Sequence, residues 1–211
     1  MLPVKENAPR RKFPFITILL IGANLWVFVY EITIFKHLPA LINQYGFVPA
    51  HAFIFPEGLQ TWITSMFLHS GILHIAGNMY FLWLFGDNVE SRLGHFRYLL
   101  FYLLCGIIAC GTHLYFNYGS YVPSVGASGA ISGILGAYFV LFPGATIMTS
   151  FLFFFKLPLP AFLYLGFWFL LQLFSGMGGV TGTAAASGVA FWAHVGGFVA
   201  GMILVFFFKR R

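Results

Sequence analysis

Six long apolar stretches constrain this chain more than any other feature of its sequence. Of its 211 residues, 60% are hydrophobic and only 8% are charged, whereas soluble domains carry roughly 25% charged residues. Several of the stretches reach the ~20 apolar residues that an α-helix needs to cross a bilayer. We therefore predict an all-α membrane protein with six transmembrane helices, at about residues 14–35, 64–86, 96–116, 125–142, 147–173 and 189–208.

The basic residues predict how these helices are oriented. They cluster before the first span, between the second and third spans, and after the last one. Cytoplasmic loops carry an excess of Lys and Arg, so six spans with both termini in the cytoplasm satisfy all three clusters. We expect a multi-pass protein of a prokaryotic plasma (inner) membrane. The net charge of +6 is then a signal of topology, and no nucleic-acid partner is expected.

The chain is predicted to form a single domain over residues 1–211, with a short cytoplasmic tail at 1–12 and all six spans within 13–209. The first span has a basic lead-in, but no small-x-small cleavage site follows it. A retained membrane anchor is therefore favoured over a cleaved signal peptide.

Two connections between the predicted spans have unusual compositions. Residues 37–63 mix prolines with aromatic residues, so we expect them to lie in the outer membrane interface. Residues 174–188 are almost all Ser, Gly, Thr and Ala. We predict that they form a mobile cap over a site, with Met177 and Gly178 as candidate gate residues.

Polar side chains interrupt three of the apolar spans. Ser128 stands at the head of the fourth span, His194 near the start of the sixth, and His74 and Asn78 near the start of the second. Polar and ionisable residues are expensive inside a membrane and usually mark functional sites. A serine, a histidine and two hydrogen-bond donors are the groups that acyl transfer requires.

Helix geometry predicts that these side chains lie at one depth. Counted from the predicted inner ends of their spans, Ser128 and His194 are each about 22 Å up the helix and His74 about 20 Å, at a rise of about 1.5 Å per residue. This depth is ~8 Å below the outer edge of a hydrocarbon core of ~30 Å. Polar residues with unrelated structural roles would not be expected to lie at the same depth.

Small residues on two spans predict a close helix pair. They recur every four residues on the fourth and sixth spans, at Ser128, Ser132 and Gly136 and at Ala193, Gly197 and Gly201. Such spacing lets membrane helices approach closely, so a hydrogen bond between Ser128 and His194 is feasible. Plain helix packing is the alternative, but it leaves His194 unexplained. For Asn78 the alternative is a hydrogen bond that only joins two helices.

At these residues the chain resembles the rhomboid family of intramembrane serine proteases. The resemblance covers the chain from the first span to the last and rests on four motifs: His74-x-x-x-Asn78, Glu90-x-Arg92-x-Gly94, Gly126-Ala127-Ser128-Gly129 and Ala193-His194-x-x-Gly197-x-x-x-Gly201. It implies a compact six-helix bundle and an intramembrane serine endopeptidase that cuts transmembrane helices of single-span proteins within the lipid bilayer. It implies no cofactor.

The resemblance also implies roles for individual residues. Ser128 and His194 would form a catalytic dyad with no acidic third member. Asn78, His74 and the backbone amides near Ala127 and Ser128 would form the oxyanion hole. Residues 37–63 would be a membrane-embedded loop, and residues 174–188 the cap near the substrate gate.

The chain departs from the family pattern at two positions. Some members carry Trp-Arg in the first loop, whereas here Trp62 is followed by Ile63. Some carry an aromatic residue four positions after the nucleophile, where it supports the catalytic histidine. Ser132 stands there in this chain, so the group that orients His194 is an open question. The remaining histidines are interpreted as interfacial or packing residues.

Other intramembrane protease chemistries do not fit the sequence. An aspartyl protease needs two carboxylates that share a proton, and Asp87 is the only aspartate. The His-Glu-x-x-His pattern of zinc proteases is missing, so no metal is expected. Cys105 and Cys110 are about 8 Å apart on one predicted helix, too far for a disulfide, and are interpreted as buried thiols.

The main alternative to a protease is a membrane protein without catalytic activity that binds transmembrane helices. A transporter should show inverted repeats and charged midplane sites, and we find neither.

Overall fold

The fold is mainly helical, as predicted, but it is not all-α, because it contains one small antiparallel sheet. The computed structural model describes residues 2–9, 13–34, 38–54, 56–151, 155–180 and 190–209. In chain order these residues form β1 (Leu2–Glu6), α1 (Phe15–Thr33), α2 (Leu38–Tyr45), α3 (Glu57–Thr64), α4 (Ile72–Leu93), α5 (His95–Phe116), α6 (Ser128–Leu141), β2 (Thr146–Phe151), β3 (Phe155–Pro160), α7 (Ala161–Val180) and α8 (Phe191–Phe208).

Four helices in the described ranges are long and apolar enough to cross a membrane: α1, α5, α8 and residues 161–178 of α7. The protein is therefore a multi-pass helical membrane protein. Two of the six predicted spans do not meet the same criterion. α4 carries charged residues in its last turns, and α6 has only 14 residues, which is about 21 Å of helix. The count of six spans stays a prediction.

The second predicted span is displaced along the chain. The helix begins at Ile72 rather than at residue 64, because the backbone N–H of His69 donates to the carboxylate of Glu31 in α1 at 3.0 Å instead of to a helical carbonyl. The helix continues to Leu93 and ends at Gly94, whose φ of 84° lies in the left-handed region that favours glycine.

The fifth predicted span, 147–173, is wrong in its first part. Residues 146–151 and 155–160 are the strands β2 and β3, and the helix starts only at Ala161. Pro158 and Pro160 explain the difference, because proline lacks an N–H and disfavours helical geometry in the residue before it. Both prolines lie on the edge strand of a sheet with the order β1-β2-β3, where prolines are tolerated.

Two carboxylates, of the half-buried Glu6 and the buried Glu90, tie the N-terminal segments to the helices. Glu6 of β1 accepts hydrogen bonds from Asn88 Nδ2 at 2.8 Å and from the hydroxyl of Tyr138 at 2.6 Å. Glu90 of α4 accepts from the backbone N–H groups of Ile16 and Thr17, each at 2.8 Å, and so satisfies the free donors at the start of α1. The predicted tail at 1–12 thus contains a strand held against the bundle.

The predicted interfacial connection at 37–63 folds into short helices. α2, a 3₁₀ turn at Pro49–His51 and α3 follow one another. Trp62 anchors this region, since its ring nitrogen donates to the carbonyl of Ala52 at 2.9 Å and its ring packs edge-on against Phe47 at 5.1 Å between centroids. Residues 37 and 55 of this connection lie outside the described residues.

The predicted close packing of the fourth and sixth spans is confirmed. A methyl group built on Gly197 would overlap the carbonyl oxygen of Gly129, and one built on Gly201 would overlap the carbonyl oxygen of Gly133. The backbones of α6 and α8 therefore touch each other directly, as small residues permit in membrane helices. Around this contact the core is filled by large buried side chains, among them Phe85, Tyr98, Phe101, Leu135 and Tyr138.

Candidate active site

Ser128 is the first residue of α6, and the chain reaches it through a glycine that no other residue could replace easily. Gly126 has a φ of 125°, and its N–H donates to the carbonyl of Ser65 at 2.8 Å. A methyl group built on Gly126 would lie only 2.7 Å from Nε2 of His74. Backbone conformation and lack of space both require glycine here, and the turn brings Ser128 close to His74.

His194 contacts Ser128 from the first turn of α8. Its Nε2 atom lies 2.7 Å from Oγ of Ser128, a hydrogen-bond distance between two side chains 66 residues apart. The contact follows from the close approach of α6 and α8, because both residues lie at the same end of the two touching helices. The predicted hydrogen bond is thus present in the structure.

Gln172 of α7 contacts the other nitrogen of His194. Its Oε1 atom lies 2.7 Å from Nδ1 of the imidazole. A carbonyl oxygen only accepts hydrogen bonds, so Nδ1 carries the proton and Nε2 is left free to accept from the hydroxyl of Ser128. Gln172 is thus the side chain that contacts Nδ1 of His194 within the described residues. Ser132 does not take that role, because its hydroxyl turns back to the carbonyl of Ser128 at 2.6 Å.

Sequence reasoning missed Gln172, although a signal was present. Tyr164, Trp168 and Gln172 recur every four residues along α7, so they share one face of the helix. Trp168 lies against His194, with 6.1 Å between the ring centroids. A glutamine on the same face as a tryptophan in an apolar helix is a candidate partner for a polar group on a neighbouring helix.

His74 and Asn78 of α4 direct nitrogen atoms toward the turn before Ser128. A methyl group built on Gly126 would lie 2.7 Å from His74 Nε2 and 3.5 Å from Asn78 Nδ2. Nδ1 of His74 accepts from the N–H and the hydroxyl of Ser70 at 3.4 and 3.0 Å, so the proton of the neutral ring is on Nε2. His74 therefore presents an N–H donor to the site.

One hydrogen of the Asn78 amide is held by His69. Nδ1 of His69 lies 3.3 Å from the carbonyl of Phe67, which fixes the proton there, and Nε2 accepts from Asn78 Nδ2 at 2.9 Å. His69 is fully buried, so its interpretation as a packing residue holds, but it also orients Asn78. The second N–H of the amide is left free to face the site.

The backbone at the start of α6 adds further donors. Ala127 is fully buried just before the first turn of the helix. The first N–H groups of any α-helix lack an acceptor within that helix. They also form the positive end of the helix dipole, which favours negative charge nearby. The amides near Ala127 and Ser128 thus lie beside the side-chain donors of α4.

A small cavity adjoins Ser128 on the side of α5. Its polar lining comes from Ser128 itself and from four other side chains, Ser65, Cys110, His113 and Ser124, and its apolar lining includes Ala193 of α8. A cavity with several polar groups can hold water.

Cys105 and Cys110 are both free thiols, as the sequence predicts. Among the other histidines, His51 packs against Tyr121 and His95 binds Glu90.

The first part of the predicted cap belongs to a helix. Met177 and Gly178 lie inside α7, which continues to Val180, so the prediction that residues 174–180 belong to an irregular segment is wrong. Apolar residues through Phe174 extend the helix, and the Gly and Ser residues among 175–180 are tolerated at its end. The remaining part of the predicted cap, 181–188, lies outside the described residues.

Known proteins with similar sequences point to one family. The sequence profile described as "Rhomboid domain" matches residues 56–211. The chain is 48% identical over 75 residues to rhomboid protease GluP of Bacillus subtilis, a match that covers 36% of this chain and 14% of that protein. It is 40% identical over 83 residues to the mitochondrial RHOMBOID-like protein 6 of Arabidopsis thaliana, covering 38% of this chain and 26% of the relative.

A human relative also matches only part of its length. The mitochondrial presenilin-associated rhomboid-like protein is 34% identical over 99 residues, which is 43% of this chain and 24% of the human protein. The matched segments are thus about a quarter or less of these relatives' lengths. The family profile, in contrast, extends from α3 to the end of the chain and includes both Ser128 and His194. The chain therefore belongs to the rhomboid family.

Proposed function

We propose that this rhomboid is an intramembrane serine endopeptidase that cuts transmembrane segments of single-span membrane proteins near the outer membrane face. The observation that carries the proposal is the 2.7 Å contact between Oγ of Ser128 and Nε2 of His194. A nucleophile in hydrogen-bond reach of a base that a third group orients is the arrangement that covalent acyl transfer uses. The name of the bacterial relative, rhomboid protease GluP, supports the same activity.

The reaction proceeds in two acyl-transfer steps. Oγ of Ser128 bonds to the carbonyl carbon of the substrate while its proton moves to Nε2 of His194. The imidazolium then gives this proton to the leaving amine nitrogen as the C–N bond breaks, which leaves an acyl group on Ser128. Water then loses a proton to Nε2 of His194 and attacks the carbonyl carbon of the ester. The bond between that carbon and Oγ of Ser128 breaks, the acid product leaves, and the proton on Nε2 returns to Oγ to restore the hydroxyl.

The carbonyl oxygen of the substrate becomes negatively charged during each step. Nε2–H of His74 and the free N–H of Asn78 face the turn at Gly126, and the amides near Ala127 and Ser128 lie next to it. These groups are the proposed oxyanion hole. Donors fixed in advance by Ser70 and His69 stabilise the developing charge without reorganising during the reaction.

The site is proposed to lie toward the outer membrane face. We call the end of the bundle that carries Arg92 and Lys209, at the ends of α4 and α8, the basic end. The guanidinium of Arg92 lies 5.5 Å from the ring centroid of Phe142, just after α6. Ser128 is at the other end of that helix, about 20 Å away. We propose that the protein lies in a prokaryotic plasma membrane with its basic end in the cytoplasm. Ser128 is then near the outer face of that membrane.

This depth has a consequence for the substrate. A transmembrane helix hides its carbonyl groups in its own hydrogen bonds, so it must unwind near its outer end before Ser128 can attack. Helix-weakening residues such as glycine near that end should favour cleavage. The family resemblance adds a preference for a small residue just before the cut.

Cleavage of a single-span model substrate in liposomes tests the proposal. The wild-type protein should cut the substrate near the outer end of its transmembrane segment, as mapped by mass spectrometry. Ser128→Ala and His194→Ala should abolish the cut while the protein stays folded. Ser132→Ala is the matched control, because it removes a hydroxyl one turn further along the same helix and should leave cleavage largely intact.

Two results would contradict the proposal. Cleavage by purified Ser128→Ala protein would exclude Ser128 as the nucleophile. A cut at the cytoplasmic end of the substrate would contradict the position of the site. A protein that binds the substrate but never cuts it would indicate the alternative without catalytic activity.

A further inference from the structure

We infer that Gln172 is a positioning residue for His194 and takes the place that an acidic residue has in a Ser-His-Asp triad. The inference rests on the proposed function, because it concerns the base that activates Ser128. In such triads the third residue holds the imidazole in the correct tautomer and stabilises the imidazolium. Gln172 is in position to do both through the oxygen of its amide.

The geometry gives the imidazole two partners of opposite kinds. Nδ1 of His194 lies 2.7 Å from Oε1 of Gln172, and Nε2 lies 2.7 Å from Oγ of Ser128. With the proton held on Nδ1 by an acceptor, Nε2 has a free lone pair that points at the hydroxyl. Without that acceptor the ring could turn or adopt the other tautomer, in which Nε2 carries a proton and cannot act as a base.

No carboxylate of the chain is in a position to replace Gln172, and all five lie in described residues. Glu6, Asp87 and Glu90 are at the basic end, Glu31 binds the N–H of His69, and Glu57 begins α3. Within the described residues, the titratable side chains close enough to act on His194 electrostatically are two other histidines, His74 of α4 and His113 of α5. A neutral amide orients the imidazole without bringing a charge into the apolar bundle, where a charge is costly.

Aromatic packing holds Gln172 in place on α7. Phe169 stacks on Phe198 of α8 with 4.9 Å between centroids, and Trp168 lies 6.0 Å from the same ring. Further along α7, a methyl group built on Gly176 would come within 3.1 Å of Trp192. Contacts on both sides of Gln172 thus fix the helix against α8, and side chains locked by packing can position a functional group accurately.

Two substitutions of similar size separate the role of the amide oxygen from its role in packing. Gln172→Met keeps the length of the side chain but removes the acceptor. We expect its kcat to fall about 10- to 100-fold, less than the roughly 10²- to 10⁴-fold that a general base contributes, because the base is misoriented and not removed. KM should change less than about twofold. Leu171→Met is the matched control, since Leu171 is exposed on the neighbouring position of α7 and should retain wild-type kcat.

Gln172→Glu tests which atom of the amide faces His194. A carboxylate offers only acceptors, so this variant should keep most of the wild-type kcat. Because a carboxylate stabilises the imidazolium, the acid limb of its pH–rate profile should move to higher pH. A residue that merely fills space would also retain turnover in this variant of equal size, but its acid limb would not be displaced.

The outcomes separate this inference from the proposed function. Wild-type kcat and pH profile in Gln172→Met would overturn the role of Gln172, while inactive Ser128→Ala protein would still support the dyad. Thermal unfolding in detergent identifies a variant that fails to fold. If Gln172→Met is such a variant, Gln172→Glu decides alone: retained turnover with a displaced acid limb supports the inference, and lost turnover in a folded protein overturns it.

Discussion

The two halves of the candidate site are held together by different kinds of contact. In the half formed by α6 and α8, backbone touches backbone, since side chains at Gly197 and Gly201 would overlap main-chain oxygens of α6. In the half formed by α4 and the loop before it, polar side chains fix one another: Ser70 binds His74, and His69 binds Asn78.

The difference shows what each half must control. The reaction needs a short, constant distance between Ser128 and His194, and helix backbones in contact are difficult to deform. The oxyanion donors need a defined direction and protonation state instead, and hydrogen bonds to ring and amide nitrogens provide both. Close backbone packing therefore fixes the distance between the nucleophile and its base, whereas hydrogen bonds fix the direction and protonation of the oxyanion donors.

The largest effect is expected where shape is disturbed. In Gly201→Ala the new methyl group would overlap the carbonyl oxygen of Gly133, and that backbone atom cannot move without separating the helices. A displacement of ~1 Å at a catalytic pair can lower the rate 10²-fold, and overpacking typically destabilises by about 1–3 kcal/mol. We expect cleavage to fall below detection in a liposome assay, with a lower melting temperature. Wild-type turnover would show that the α6–α8 contact does not set the geometry.

A smaller but still large effect is expected where polarity is removed. Asn78→Ala deletes one oxyanion donor and should lower kcat roughly 10²- to 10³-fold, with less effect on KM. Steady-state kinetics on the model substrate measure both quantities. Asn43→Ala, an exposed asparagine of α2, is the control. An unchanged rate in Asn78→Ala would mean that Asn78 only joins helices.

The smallest effect is expected at a position that takes part neither in the α6–α8 backbone contact nor in the hydrogen bonds of the oxyanion donors. A methyl group built on Gly166 of α7 would lie 3.8 Å from Phe139, an ordinary contact distance. Gly166→Ala should therefore leave cleavage unchanged and raise stability by up to ~1 kcal/mol, because alanine is the better helix former. The comparison with Gly201→Ala uses the same chemical change on two membrane helices. Equal losses in both variants would refute the distinction between the two interfaces.

Much of the site could be predicted because burial in a membrane leaves few reasons for a polar residue. Ser128, His194, His74 and Asn78 each stand out in an apolar segment, and a constant helical rise was enough to predict that they lie at one depth. The small residues of α6 and α8 revealed the close packing in the same way.

The remaining features depend on tertiary contacts that local patterns do not contain. The apolar run at 147–160 has the composition of a membrane helix. Pairing with β1 and two prolines nevertheless favour the antiparallel strands β2 and β3 over most of this run. The start of α4 depends on Glu31, which is distant in sequence. The spacing on α7 makes Gln172 a candidate partner for some polar group, but only the position of α7 beside α8 identifies His194 as that partner.

Covalent labelling of Ser128 tests the central claim, that His194 activates this hydroxyl as a nucleophile, without any choice of substrate. The wild-type protein is incubated with a fluorophosphonate probe, digested and analysed by mass spectrometry, next to His194→Ala and Ser132→Ala. We predict one adduct, on Ser128, formed at wild-type rate in Ser132→Ala and at least about 10²-fold more slowly in His194→Ala, the lower end of general-base effects. No adduct on Ser128, or labelling that does not depend on His194, would contradict the claim.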